Sequence, residues 1–166
     1  METKFIDDIN ANLGIIYKVC NVYADSRSDV REDLFQEILY QLWKSYPHFK
    51  GFSKFSTWMY RVALNTAMMH SQHQKRNLEI AGLEMSHEQI EESVEQFHEE
   101  EKIQQLYKSI GTLSKIDKAI ILLFLEEHSY DEISSLTGLT KSNVSVRLVR
   151  IKRTLKEKMN QSLKNI

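Results

Sequence analysis

Apolar residues recur along this chain at steps of three and four, the spacing of one face of an α-helix, and nowhere settle into the two-residue alternation of a strand. Phe5, Ile6, Ile9, Leu13, Ile16, Val19 and Cys20 predict a first amphipathic helix. Leu34, Phe35, Ile38, Leu39, Leu42 and Trp43 predict a second. It closes before Pro47, because the residue ahead of a proline is pushed out of the helical region. Gly51 and Ser53 break the rhythm, so FKGFSK reads as a loop; Trp58, Met59, Val62 and Ala63 then carry a third helix from about Thr57 to about Gln74. Beyond a stretch poor in large apolar residues, Ile103, Leu106, Tyr107, Ile110 and Leu113 resume the pattern. Ile116–Leu125 is apolar on most faces, as suits the buried helix of a small bundle. The predicted fold is all-α: two small helical domains, 1–76 and 102–166, joined by an acidic linker over 77–101.

The end of the chain carries the sharpest local signal. In SYDEISSLTGLTKSNVSVRLVRIKRTLKEKM a short helix from Tyr130 to Leu136 meets Thr137-Gly138-Leu139. Gly138 accepts a left-handed turn without the Cβ penalty. A second helix begins near Thr140, with Thr140 or Ser142 placed to cap its free N–H groups. Val144, Leu148, Ile151, Leu155 and Met159 form its apolar stripe, and Lys141, Arg147, Arg150, Lys152, Arg153 and Lys156 lie largely off it. A helix-turn-helix whose second helix is apolar on one side and cationic on another suits the major groove of DNA.

Charge sharpens the division. The net charge of −1 conceals +2 over residues 1–76, −9 over 77–101, −1 over 102–140 and +7 over 141–166. The basic block is what phosphate binding needs, and the acidic block would be repelled by DNA. The single cysteine, Cys20, cannot form an intrachain disulfide; it sits in an apolar helical pattern and fits a reducing compartment. METKFIDDIN lacks a signal-peptide core, and AIILLFL is too short to cross a bilayer, so a cytoplasmic protein without membrane insertion is expected.

A helix-turn-helix alone defines no family. DLFQEILYQLW (Asp33–Trp43) and FKGFSKFSTWMYRVALN (Phe49–Asn65) are more specific: together they resemble the second conserved region of extracytoplasmic-function sigma factors of bacterial RNA polymerase. Tyr130–Lys156 resembles their fourth region, and the resemblance covers roughly residues 13–73 and 103–158. It implies an RNA polymerase sigma factor that directs promoter-specific initiation by binding core polymerase and the −35 and −10 elements. Asp33, Gln36, Glu37, Gln41 and Lys44 would dock on the β′ clamp helices, with the β flap as a further polymerase contact. The same polar face, taken by its chemistry alone, reads as a solvated surface.

Lys50–Ser56 with Asn65 resembles the pocket that captures a flipped −10 base. An unstacked base needs its edge hydrogen-bonded and its face covered. Ser53 and Ser56 bring hydroxyls, Asn65 an amide, Lys50 and Lys54 charge, and Phe52 and Phe55 apolar faces. Arg61 suits a phosphate or an internal ion pair, and Trp58 suits the core, sharing a stripe with Val62. The next helix departs from the family: Met69 stands where Asp is common, and basic groups are delayed to Lys75 and Arg76. In the C-terminal domain Lys141, Ser142, Ser145 and Val149 would face base edges, with Arg147 and Arg150 on phosphate or guanine. Ser145 stands where the family often has Arg. The family is usually held inactive by an anti-sigma factor.

Two other readings remain open at this stage. A free-standing helix-turn-helix regulator with an N-terminal oligomerisation domain accounts for the C-terminal segment but not for the first-domain motif. His70 and His73, three apart, with His48 and Glu79, could mark a metal hydrolase, yet no HExxH pattern accompanies them and polar surface histidines are the plainer account. Phosphate loops, nucleophile elbows and paired catalytic carboxylates are absent, so neither an enzyme nor a cofactor or metal requirement is expected.

Overall fold

The computed structural model describes residues 2–24, 28–82 and 98–164. Every regular element among them is helical, and the chain divides into two compact units, Met1–Glu92 and Ser93–Ile166.

The first unit comprises α1 (Glu2–Ala11), α2 (Leu13–Tyr23), α3 (Ser28–Ser45), a 3-10 turn (Tyr46–His48) and α4 (Phe55–Ala81). Its centre is a three-helix packing of α2, α3 and α4. Ile16, Val19 and Cys20 of α2, Leu34, Ile38 and Leu42 of α3, and Met59, Ala63 and Ala67 of α4 are fully buried there. Four-residue steps on α3 and α4 place these rows along facing sides, and the two alanines let α4 approach closely. Burial pushes the Cys20 thiol up to about 11, against the opposing pull of Arg31, so it is an inert core group.

Two boundaries and one side chain differ from the periodic reading. The first predicted helix is two, because the chain turns at Asn12, which leaves helical geometry at φ −125° and ψ 15°. Its side-chain amide donates to the Asp8 carbonyl at 2.8 Å, a local bond of the kind that competes with helix continuation. Trp43 is outside the core at 58% exposure. The buried row runs Leu34, Ile38, Leu42, and the next residue is turned about 100° from it. Helix α4 runs on past Gln74 to Ala81, where Gly82 closes it in the left-handed region at φ 67°.

The second unit comprises α5 (His98–Gly111), α6 (Lys115–Leu125), α7 (Tyr130–Thr137) and α8 (Lys141–Lys164). Buried Ile110, Ala119, Ile120, Ile121, Leu122, Leu123, Ile133, Val144, Leu148, Ile151 and Leu155 fill its core, and α6 supplies the largest share, as its apolar composition predicts. Ser114 accepts from the Asp117 N–H to cap α6. Ser129 and Glu132 form a reciprocal capping box at the start of α7, with bonds of 2.8 and 3.2 Å. Within the acidic segment expected as a linker, 77–81 belong to α4 and 98–101 to α5; residues 83–97 lie outside the described residues.

Candidate functional site

The turn between α7 and α8 has the local chemistry that a helix-turn-helix needs. Gly138 sits at φ 75° and its N–H donates to the Ser134 carbonyl at 2.9 Å, ending α7. The Thr140 hydroxyl accepts from the Asn143 N–H at 3.2 Å, starting α8. Val144, Leu148, Ile151 and Leu155 then hold α8 against its unit and fix which side faces out.

The polar residues expected at DNA divide into two kinds. Ser142, Val149 and Arg150 are exposed, and Ser145 is half-buried. Lys141 and Arg147 are engaged within the unit. The Lys141 ammonium lies 3.2 Å from an Asp131 carboxylate oxygen on α7. The Arg147 guanidinium donates to Asp117 on α6 at 2.9 Å and to Asn143 at 3.2 Å, and both members of the Arg147–Asp117 pair are about three-quarters covered. Further along, the Lys152 ammonium stands 3.9 Å over the Phe124 ring and Lys158 donates to Thr112. Arg153 and Lys156 are exposed. Several cations of α8 thus have partners within the unit, on α6, on α7 and in the turn after α5. Val146, which lies off the apolar stripe, is 58% exposed beside Val149 at 68%.

In the first unit, an aromatic cluster positions the loop between α3 and α4. Ring centroids of Phe49 and Trp58 are 5.1 Å apart, Phe55 and Trp58 5.3 Å, and Phe49 and Phe55 5.6 Å. Tyr46 meets Phe5 of α1 at 4.9 Å, and its hydroxyl donates to Asp8 at 3.0 Å. The loop is thus gripped at both ends. Between them Gly51 takes φ 74°, and Lys50, Ser53 and Lys54 are exposed, as is the Phe52 side chain at 93%. Trp58 lies half-buried in this cluster rather than fully within the helical core. An open cleft of about 390 Å³ adjoins the loop, lined by Lys4, Tyr46, Pro47, Phe49, Lys50 and Gly51.

Ser56 is half-buried in the first turn of α4, and Arg61 and Asn65 are exposed a turn apart on the same helix. Ser56 and Asn65 are nine positions apart, about 14 Å along the axis. The loop and α4 thus carry a strip of polar positions from Lys50 to Asn65.

On α3, Asp33, Gln36, Glu37 and Lys44 are exposed; Gln41 is half-buried and donates to Glu37 at 2.9 Å. Tyr40 and Trp43 are exposed on the same side as Gln36, at steps of four and three. Among the described residues, no group of three or more His, Cys, Asp or Glu is placed to hold a metal ion, and no helix is long and apolar enough to cross a membrane.

The comparisons with known proteins agree with this division. Residues 9–77 match the family model of sigma-70 region 2, and residues 103–155 match that of sigma-70 region 4. The two together take in well over half of the chain, which belongs to the sigma-70 family of RNA polymerase sigma factors. Possession of regions 2 and 4 is the layout of the extracytoplasmic-function class. The fold is similar to that of the sigma factor RpoE of Bartonella quintana, solved in complex with the anti-sigma factor NepR. That similarity has a TM-score of 0.73 at 21% identity and covers 95% of this chain and 97% of the other. No curated protein matches the sequence. The region 2 match accounts for the first-domain motif, which the free-standing regulator reading left unexplained.

Proposed function

We propose that the two units divide promoter recognition between them, with α8 on the −35 element and the α3–α4 loop on the −10 element, while the exposed face of α3 docks on core polymerase. The observation that carries this is the pairing, in one chain, of a capped helix-turn-helix with an exposed loop of basic, hydroxyl and aromatic side chains. That loop presents lysines, hydroxyls and an exposed phenylalanine from a rigid aromatic base. Stacking faces beside positive charge are what an unpaired strand requires.

In this reading Asp33, Gln36, Glu37, Gln41 and Lys44 meet the β′ clamp helices, and Tyr40 and Trp43 supply apolar contact area among them. Aromatic side chains are common binding hot spots. The cleft beside Lys50 takes the flipped base, Ser53, Lys54 and Ser56 bond its edge and backbone, and Arg61 and Asn65 follow the strand along α4. Ser142, Ser145, Val149 and Arg150 face the −35 groove, and the second unit also meets the β flap. Lys141 and Arg147 orient α8 through Asp131 and Asp117.

The acidic segment 77–101, charged −9, threads along cationic polymerase walls. NepR bound to the similar RpoE supports an anti-sigma factor as the partner that holds this chain inactive. The chain acts in the cytoplasm, needs no cofactor, and leaves nucleotide chemistry to the polymerase.

Promoter opening by the reconstituted holoenzyme, followed with a fluorescent base in the −10 element, tests the assignment. Lys50→Ala and Asn65→Ala should each slow opening about ten-fold with core binding unchanged, since lost polar base contacts cost on the order of 1–3 kcal/mol. Opening at the parent rate in both variants would remove the loop and α4 strip from the −10 role.

A further inference from the structure

Four residues of α8 point most directly away from the core of their unit. Ser142, Val146, Val149 and Arg153 follow one another at steps of four, three and four, opposite the buried row Val144, Leu148, Ile151 and Leu155. Two of the four are valines, 58% and 68% exposed. Their neighbours on the open side of this helix are mainly serine, arginine and lysine. Valine is a poorer helix former than those cations, and here it leaves apolar surface in water. Neither side chain belongs to the buried core of the unit, so core packing does not account for them.

The major groove carries one apolar feature, the C5 methyl group of thymine. We infer that Val146 and Val149 read thymine methyl groups of the −35 element, and so determine part of the promoter specificity of this factor. The inference rests on the reading of α8 as the −35 helix. Three residues advance about 4.5 Å along a helix, close to the spacing of neighbouring base pairs at about 3.4 Å. The two valines therefore address adjacent pairs. Ser142 lies toward the N-terminal side of the apolar patch, and Arg150 and Arg153 toward the other, where they meet phosphate or guanine. Residues 141–166 carry +7, which favours a polyanion over a protein surface as the occupant of this face.

The test uses the full chain with core polymerase and −35 duplexes enriched from a randomised pool. Each thymine of an enriched duplex is replaced in turn by deoxyuridine, which lacks only the methyl group. Two neighbouring positions should respond, each with about four-fold weaker binding, the worth of one buried methyl-sized group. Val146→Ala should remove the response at one position and Val149→Ala at the other. Both substitutions are at exposed sites and favour helix, so the fold is retained. Indifference to deoxyuridine at every thymine would overturn the inference. So would a V146A/V149A variant that binds the parent duplex normally but fails to bind an anti-sigma factor, which would assign the valines to a protein contact. Failure of the parent holoenzyme to enrich any duplex would overturn the −35 reading of α8 itself, and this inference with it.

Discussion

The two surfaces assigned to promoter DNA are held in place by different forces. In the first unit the α3–α4 loop is set by ring packing, with Phe49, Phe55 and Trp58 mutually within 5.1–5.6 Å. Its lysines and the Ser53 hydroxyl are left exposed. In the second unit α8 is set by an apolar row supplemented by directional bonds, from Thr140, Lys141–Asp131 and Arg147–Asp117. Some of the charges that look available for DNA therefore serve orientation. A cation near a nucleic-acid surface has two possible uses, and only its partners within the fold tell them apart.

The largest effect should come from the aromatic anchor. Trp58→Ala removes the ring shared by several contacts; full burial would put the cost at about 3–5 kcal/mol, and partial exposure lowers the expectation to about 2 kcal/mol. Urea unfolding of the first unit reads this loss, and −10 opening should fall while −35 duplex binding by the holoenzyme stays unchanged. A parallel loss of −35 binding would show that the two surfaces are not independently anchored. Trp43→Ala is the converse case. An exposed ring that contributes little to folding should leave stability within about 0.5 kcal/mol, yet weaken core polymerase binding by about 2 kcal/mol if it is a docking anchor. Unaltered affinity for core would remove Trp43 from the interface.

In the second unit the turn should respond next. A methyl group at Gly138 would meet nothing within 4 Å, so Gly138→Ala isolates the backbone cost of φ 75°, about 1–2 kcal/mol by thermal or urea unfolding. The smallest and most discriminating effect is that of Arg147→Ala. The pair is partly solvent-screened, so its loss should cost no more than about 1 kcal/mol of stability. The log–log salt dependence of −35 binding should keep its slope, whereas removal of a phosphate contact would reduce it by about 0.9. Affinity for the duplex should fall as α8 loses this tether, and the double variant D117R/R147D should recover most of it. A reduced slope without recovery would place Arg147 on DNA.

Much of this was legible before the structure. The i, i+4 rhythm of Leu34, Ile38 and Leu42, the apolar run of α6 and the Gly138 turn all express local rules, and each appears where those rules put it. What escaped depends on distance or drift. The break at Asn12 is invisible because apolar residues on both sides keep one helical phase. The last turns of α4 extend beyond Gln74 because polar helix formers propagate a helix without an apolar signal. Trp43 continues the apolar pattern beside Leu42, yet one residue turns its side chain out. The Asp117–Arg147 pair joins positions thirty apart, and no local pattern announces it. The exposure of Val146 follows from the same stripe that predicted Val144 and Leu148, and a full count of angles around α8 would have found it.

The most direct test is promoter-dependent transcription with core polymerase, run with and without this chain, beside duplex binding by the chain alone. The account predicts specific initiation only when both components are present, and weak duplex binding by the free chain. Tight, specific duplex binding by the chain alone, with no initiation gained by core, would contradict it.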